Sequence, residues 1–320
     1  MGSLALALSA LALVGCPHDA SLGTVSFDRG GARHAVSLAD CADRIVRKPR
    51  RPAAPAALRS RTGRIARVVV ARKPGARFGT QTIAVDGRAV RIVREDYRRI
   101  PAGAPGPLGL VSWSPDGRWL FFSIDPMGSA SIAADGLELQ ALHVRDGRVV
   151  PVAGMLISSD HMTWCGSTLV LTAGGDRIAT HHKRLVVAQA PDWKPRALWS
   201  DRRRAFGSVA CARDGESVAV LSQPASADPN FFHTRWQLWR VGLDGSRRML
   251  DAPPAGWADE SPRWSRDGRA LLFVRERQGR GRLMLWRRGG VTGPFANLGY
   301  SLGYYGHHDW WANASWTAGA

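Results

Sequence analysis

Apolar and polar residues alternate along this chain in short runs of about four to eight, each bounded by Gly, Pro, Asp or Asn. Short apolar, β-branched or aromatic runs between turn residues predict strands rather than helices. One unit recurs. Val111-Ser112-Trp113-Ser114-Pro115-Asp116-Gly117-Arg118-Trp119-Leu120-Phe121-Phe122 returns as Ser261-Pro262-Arg263-Trp264-Ser265-Arg266-Asp267-Gly268-Arg269-Ala270-Leu271-Leu272-Phe273. Weaker copies surround Trp164, Cys211 and Trp316, so the anchors Trp113, Trp164, Cys211, Trp264 and Trp316 fall roughly 50 residues apart. In each copy a short strand enters an Asp-Gly turn, where Gly supplies positive φ, and a β-branched or aromatic strand follows. A loop of variable length and a hairpin complete the unit, as at 142–150 and 238–250, giving four strands.

The first part of the chain fits the same scheme with one strand missing. Residues 24–27, 33–38 and 44–46 read as strands two, three and four, while the copy around Trp316 is a first strand with nothing after it. Pairing the two would bury both exposed edges. Residues 64–93 supply a further unit, with a hairpin at Val85-Asp86-Gly87-Arg88-Ala89-Val90 and a poorly marked first strand near Leu58. The expected fold is all-β: a six-bladed β-propeller of four-stranded blades, closed by pairing of the C-terminal strand with the N-terminal blade. The Trp-Ser-Pro-Asp-Gly copy and its degenerate relatives resemble the WD-like repeats of TolB-type propellers. That resemblance implies a bacterial envelope protein whose partners are other envelope proteins.

Residues 4–14 form an almost unbroken run of Leu and Ala, too short to span a bilayer but suited to the core of a signal peptide. The expected organisation is a signal segment at 1–20 and a single propeller domain at 21–320, with an extracytoplasmic location (secreted, periplasmic or envelope-associated). Leu13-Val14-Gly15-Cys16 resembles a lipoprotein signal that would make Cys16 a lipid acceptor and the only membrane attachment. A disulfide between Cys16 and Cys41 is the competing reading, and both stand at this level. Cys165 and Cys211 fall on first strands of successive units, where they could bridge neighbouring blades.

The net charge is +18, and only four of 44 basic residues are Lys. Such a field draws anions. The densest runs, Arg47-Lys48-Pro49-Arg50-Arg51 and Arg202-Arg203-Arg204, fall at expected loops without an aromatic ladder, so nucleic acid is not an expected partner.

Sorting the unusual side chains by loop places them at one end of the strands. Asp160 and His161, Asp259 and Glu260, and His307, His308 and Asp309 precede first strands. Asp176, His181 and His182, and Phe232 and His233, fall between second and third strands. This His- and aromatic-rich face, at the channel mouth, is the expected ligand-binding face, formed by Asp160, His161, His181, His182, Phe232, His233, Glu260, His307, His308 and Asp309. No cofactor is expected. A divalent metal would need several of these groups to converge, and adjacent histidines in an extended segment point opposite ways. Gly299-Tyr300-Ser301-Leu302-Gly303 has nucleophile-elbow spacing but no strand–turn–helix context. The expected function is a non-catalytic, monomeric propeller that binds an envelope protein, glycan or peptide. The alternative is a metal-assisted polysaccharide lyase or hydrolase using the same face.

Overall fold

The computed structural model describes residues 15–47, 57–72, 79–94, 108–125, 136–227, 235–301, 303, 308 and 310–317. Among these residues nearly all regular structure is antiparallel strand, and the two helical segments are single 3-10 turns at Ala20–Leu22 and Trp310–Asn313. The strands are β1 (Thr24–Arg29), β2 (Ala32–Ser37) and β3 (Asp43–Val46), then β4 (Ala57–Arg59), β5 (Ile65–Arg72), β6 (Gly79–Val85) and β7 (Arg88–Arg94). There follow β8 (Leu108–Trp113), β9 (Trp119–Ile124), β10 (Gly136–His143) and β11 (Val149–Leu156), with β12 (Met162–Cys165), β13 (Thr168–Ala173), β14 (Arg184–Ala188) and β15 (Arg196–Trp199). The last are β16 (Arg204–Cys211), β17 (Ser217–Pro224), β18 (Gln237–Gly242) and β19 (Arg247–Asp251), β20 (Ala258–Trp264), β21 (Leu271–Arg277), β22 (Arg280–Arg287) and β23 (Gly290–Tyr300), and β24 (Ala314–Thr317).

Four consecutive strands make each sheet. β4–β7, β16–β19 and β20–β23 are separate four-stranded meanders, and β8–β11 and β12–β15 are two more, joined by the single pair Met155↔Ala173. The remaining sheet takes both ends of the chain: β24 lies against β1, with Val25 opposite Trp316, in the order β24-β1-β2-β3.

Apolar cores lie between consecutive sheets, because each sheet carries apolar residues on both faces. Leu120, Phe122 and Leu142 pack against Ala66, Ile83 and Val85 of the preceding sheet. Phe121 and Leu139 pack against Leu169, Leu171 and Trp193 of the following one. The same face-to-face packing joins β12–β15 to β16–β19 and β16–β19 to β20–β23. It also joins β20–β23 to the sheet of the two chain ends, through Leu272, Val274 and Leu283 against Val25, Phe27 and Val36. Among the described residues no such core joins the sheets β1–β3 and β4–β7, and Ile45, Val46, Val69, Val70 and Ile92 of those two sheets are exposed.

The recurring tryptophans bond one sheet to the one before it. Trp113 Nε1 donates to Leu58 O at 3.0 Å, Trp164 Nε1 to Ser112 Oγ at 3.2 Å, and Trp264 Nε1 to Ala210 O at 3.2 Å. Each acceptor sits on the first strand of the preceding sheet. At the one anchor that is not Trp, Cys211 is bonded to Cys165, so a covalent bond joins the same pair of strands. The Ser in each Ser-x-Asp-Gly turn closes it: Ser114 Oγ donates to Asp116 Oδ1 at 2.6 Å and accepts from Trp119 N at 2.9 Å. In the matching turn the Ser265 hydroxyl and the Arg269 N–H hold the Asp267 carboxyl below its usual range.

Of the two readings open for Cys16, the disulfide is formed: Cys16 is bonded to Cys41. Asp19, in the segment 1–20, caps the turn at Ala20–Leu22 and accepts from Arg287 at 2.6 Å. A sulfur in that disulfide cannot also carry a lipid thioether. The apolar run at 4–14 lies outside the described residues. The run Arg202–Arg204 is not wholly loop. Arg204 opens β16, with its guanidinium 5.6 Å from the Trp199 ring and 5.2 Å from that of Trp239, and burial lowers its pKa.

The cross-sheet bonds should be measurable singly. Replacing both Cys165 and Cys211 with Ala is expected to cost about 2–4 kcal/mol. Trp264→Phe, which keeps an aromatic ring in the seam but removes the N–H and part of the indole, is expected to cost about 1–2 kcal/mol. Urea unfolding followed by far-UV circular dichroism reads both, and unchanged midpoints would refute this role.

Candidate functional site

The loop between β13 and β14 gathers the first group. Asp176 Oδ1 accepts from Ile178 N at 3.0 Å, a local turn that orients the carboxylate. Its Oδ2 accepts from His181 Nδ1 at 2.6 Å, and His182 Nδ1 stands 3.8 Å from the same oxygen. The two imidazoles lie close together, their centroids 3.6 Å apart and their planes tilted by 32°. The expectation that adjacent histidines diverge is corrected, because His182 has φ 50° and the segment turns instead of extending. Burial raises the Asp176 carboxyl, but the Ile178 N–H and His181 outweigh it and hold the pKa below its usual range. One ligand atom from each of Asp176, His181 and His182 falls within 4.8 Å of the others. Beneath them Lys183 is 1% exposed, and its Nζ donates to Gly174 O at 3.0 Å and to Asp176 O. Burial pulls its pKa down to about 8, against the attraction of Asp176.

Neighbouring loops at this end of the strands are tied together. Thr180 Oγ1 donates to Ser226 O and Ser226 N returns to Thr180 O, both at 2.9 Å. Asp259 N donates to Trp236 O at 3.0 Å. Asp160 accepts from Ser158 Oγ and from Ser208 Oγ, each at 2.7 Å, the second bond reaching across to β16. His161 is fully buried, its Nδ1 2.7 Å from Thr172 Oγ1. Asp259 accepts from Arg275 Nε at 2.8 Å, and the same guanidinium also bonds Asp251. Burial pushes Asp259 well above the ordinary carboxyl range, opposed by Arg275, since one guanidinium cannot neutralise two carboxylates.

A second convergence is buried. Glu260, on β20, is 1% exposed, Glu276, on β21, 2%, and His308 2%. A register shift between Glu260 and Arg263, with Ser261 at φ 50°, re-aims the strand at this point. One ligand atom from each of the three residues lies within 4.8 Å of the others. Glu276 Oε2 accepts from Gly279 N at 2.9 Å. Burial lowers the His308 pKa, with Glu276 pulling it up.

Of the ten residues expected on the ligand face, Asp160, His161, His181, His182, Glu260 and His308 are described. Only His182 is well exposed, and His181 and Asp160 are half-buried. Phe232, His233, His307 and Asp309 lie outside the described residues. Glu276 and Lys183 were not singled out from sequence, yet strand alternation marks both. Glu276 shares a face with buried Leu272 and Val274, and Lys183 shares one with buried Leu185 and Val187. Ser301 has no elbow geometry: it follows β23 with no helix after it among the described residues 301, 303 and 308, its N–H donating to Gly279 O and its Oγ accepting from Gly303 N at 3.3 Å. At the opposite, Asp-Gly end of the strands, a cleft of about 840 Å³ is lined by Arg64, Arg88, Arg118, Arg145, His143 and Asp146.

No protein-family model matches the chain, and no curated protein matches it. Among solved structures it is similar to TolB from Acinetobacter baumannii, at 14% identity over 86% of this chain and 64% of that one, with a TM-score of 0.44. It is similar to a putative TolB from Agrobacterium tumefaciens, at 16% identity over 64% of each chain, TM-score 0.39. It is also similar to an acylaminoacyl peptidase from Pyrococcus horikoshii, at 12% identity over 84% of this chain and 42% of that one, TM-score 0.42. The chain thus spans less than two thirds of the TolB chains and less than half of the peptidase.

Lys183 makes this end of the molecule sensitive to pH. Between about pH 8 and 10.5 the unfolded chain holds a proton on Lys183 that the folded chain has released. Stability is therefore expected to rise with pH through that window, by up to roughly 3 kcal/mol. Lys183→Met should flatten the rise, and urea titrations at both ends of the window measure it.

Proposed function

We propose that this chain is a six-bladed β-propeller, closed where β24 joins β1, that acts outside the cytoplasm by binding. The partner is an envelope protein, or a glycan or peptide ligand, held by a monomer at the strand ends that carry His181 and His182. Consecutive four-stranded meanders packed face to face support the radial arrangement. The resemblance of the Trp-Ser-Pro-Asp-Gly repeat to TolB-type propellers agrees with it. Two disulfides support an oxidising compartment, and among the described residues no helix is long and apolar enough to cross a membrane.

One observation carries binding over catalysis. Among the described residues, three of the titratable groups at this end are committed to joining the protein to itself: Asp160 to Ser158 and Ser208, His161 to Thr172, Asp259 to Arg275. A catalytic acid or base must instead reach the proton it moves. The convergence of Asp176, His181 and His182 favours a second reading, metal-assisted cleavage of a polysaccharide, because those groups are partly exposed.

Immobilised protein exposed to envelope extract, followed by titration of the purified retained molecule, separates the two. Saturable binding is expected, weakened at least tenfold by His181→Ala with His182→Ala in a chain of unchanged circular dichroism. No polysaccharide or peptide should be cleaved. Cleavage by the unaltered protein that disappears in Asp176→Ala would favour the enzyme.

A further inference from the structure

We propose that Glu260, Glu276 and His308 hold one divalent transition-metal ion, Zn²⁺ or Mn²⁺, that fastens the segment preceding β24 to the sheet β20–β23. The three residues come from separate places: a bulged first strand, its antiparallel neighbour, and the chain just before the 3-10 turn at Trp310–Asn313. All three are almost wholly buried.

His308 carries the argument. Both ring nitrogens are buried, and neither has a hydrogen-bond partner among the described residues. A buried imidazole left in that state loses its hydration without replacement, a cost that native structures avoid. The ring is nonetheless held in place. His308 O accepts from Ser261 Oγ at 3.0 Å, next to Glu260 in sequence, and the ring stacks on Trp310 with centroids 5.8 Å apart. Its Nδ1 faces Glu260 Oε1 across 3.8 Å, beyond hydrogen-bond range. One ligand atom of each of the three residues thus lies within 4.8 Å of the others, with His308 Nδ1 and Glu260 Oε1 too far apart to bond each other.

A cation at their centre would lie within about 2.8 Å of all three ligand atoms, so closure by about 0.7 Å reaches metal–ligand distances of about 2.0–2.2 Å. One imidazole with two carboxylates is a donor set for zinc or manganese, whereas calcium prefers oxygen alone. The other edge of the ring is crowded. A Cβ added at Gly303 would stand 2.5 Å from His308 Nε2, so glycine there leaves the imidazole free to present Nδ1 inward. Such a site is structural: it would join the chain that leads into β24 to the neighbouring sheet, and binding would add to folding.

Chelator-treated full-length protein titrated with ZnCl₂ or MnCl₂ by calorimetry tests this, with melting temperature read in parallel. One equivalent is expected to bind, raising Tm by roughly 5 °C at saturation. Glu276→Gln and His308→Ala should abolish binding, and Gly303→Ala should weaken it at least tenfold by displacing the ring. The His181→Ala, His182→Ala double variant should bind as the unaltered protein does. If His308→Ala does not fold, X-ray absorption of the loaded unaltered protein must show one imidazole and oxygen ligands. Absence of heat and of a Tm shift in the unaltered protein would overturn the proposal. So would full binding in His308→Ala or loss of it in the His181/His182 variant, either of which would move the metal elsewhere.

Discussion

An indole N–H reaching back to the first strand of the preceding sheet is the constraint on which this structure depends. It explains why the anchors recur at the interval they do. Trp113 must lie one whole sheet beyond Leu58, Trp164 one beyond Ser112, and Trp264 one beyond Ala210. A polar N–H inside an apolar seam needs a partner, and the preceding first strand supplies one, a backbone carbonyl for Trp113 and Trp264 and the Ser112 hydroxyl for Trp164. Where the anchor is Cys211, the disulfide to Cys165 joins the same two strands. Sulfur there takes over a task that nitrogen performs elsewhere, which makes the odd copy of the repeat intelligible.

That constraint divides the molecule into two ends with different chemistry. At one end, short Asp-Gly turns leave little freedom, and arginines gather around the cleft at Arg64, Arg88, Arg118 and Arg145. At the other, longer connections carry the histidines and carboxylates. Much of the arginine excess also has a plain structural use. Arg263 lies 4.3 Å over Trp311, Arg282 5.0 Å over Trp257 and Arg247 5.0 Å over Trp199, so their positive charge is placed on aromatic faces of the fold.

The chain ends are held by more than one kind of bond. β24 pairs with β1, Trp316 Nε1 donates to Leu22 O at 2.6 Å, Cys16 is bonded to Cys41, and Arg287 reaches Asp19. Arg29 adds a link from β1 to the sheet β20–β23, donating to Asn297 O at 2.7 Å. These bonds surround the sheet that pairs β24 with β1–β3, which would otherwise begin with an unpaired edge. The metal inferred at His308 would act on this same junction.

What the residue order determined by itself was local. Short apolar, β-branched and aromatic runs set the strands, Asp-Gly placed the turns, and the spacing of Trp113, Trp164, Cys211, Trp264 and Trp316 marked the first strand of every sheet except β4–β7. Even the pairing of Trp316 with the segment around Phe27 was legible, since each lacked the strand that the other supplied. The site was legible only in part. Asp160 and His161 directly precede β12, but what they touch, Ser208 in one case and Thr172 in the other, depends on residues many positions away. Tertiary structure alone decided that His181 and His182 share a side, because one positive φ undoes the divergence that an extended strand would impose. It also brought His308 to Glu260 and Glu276. Such meetings depend on how separate sheets pack and where one strand bulges, and neither is written into the local pattern of any segment.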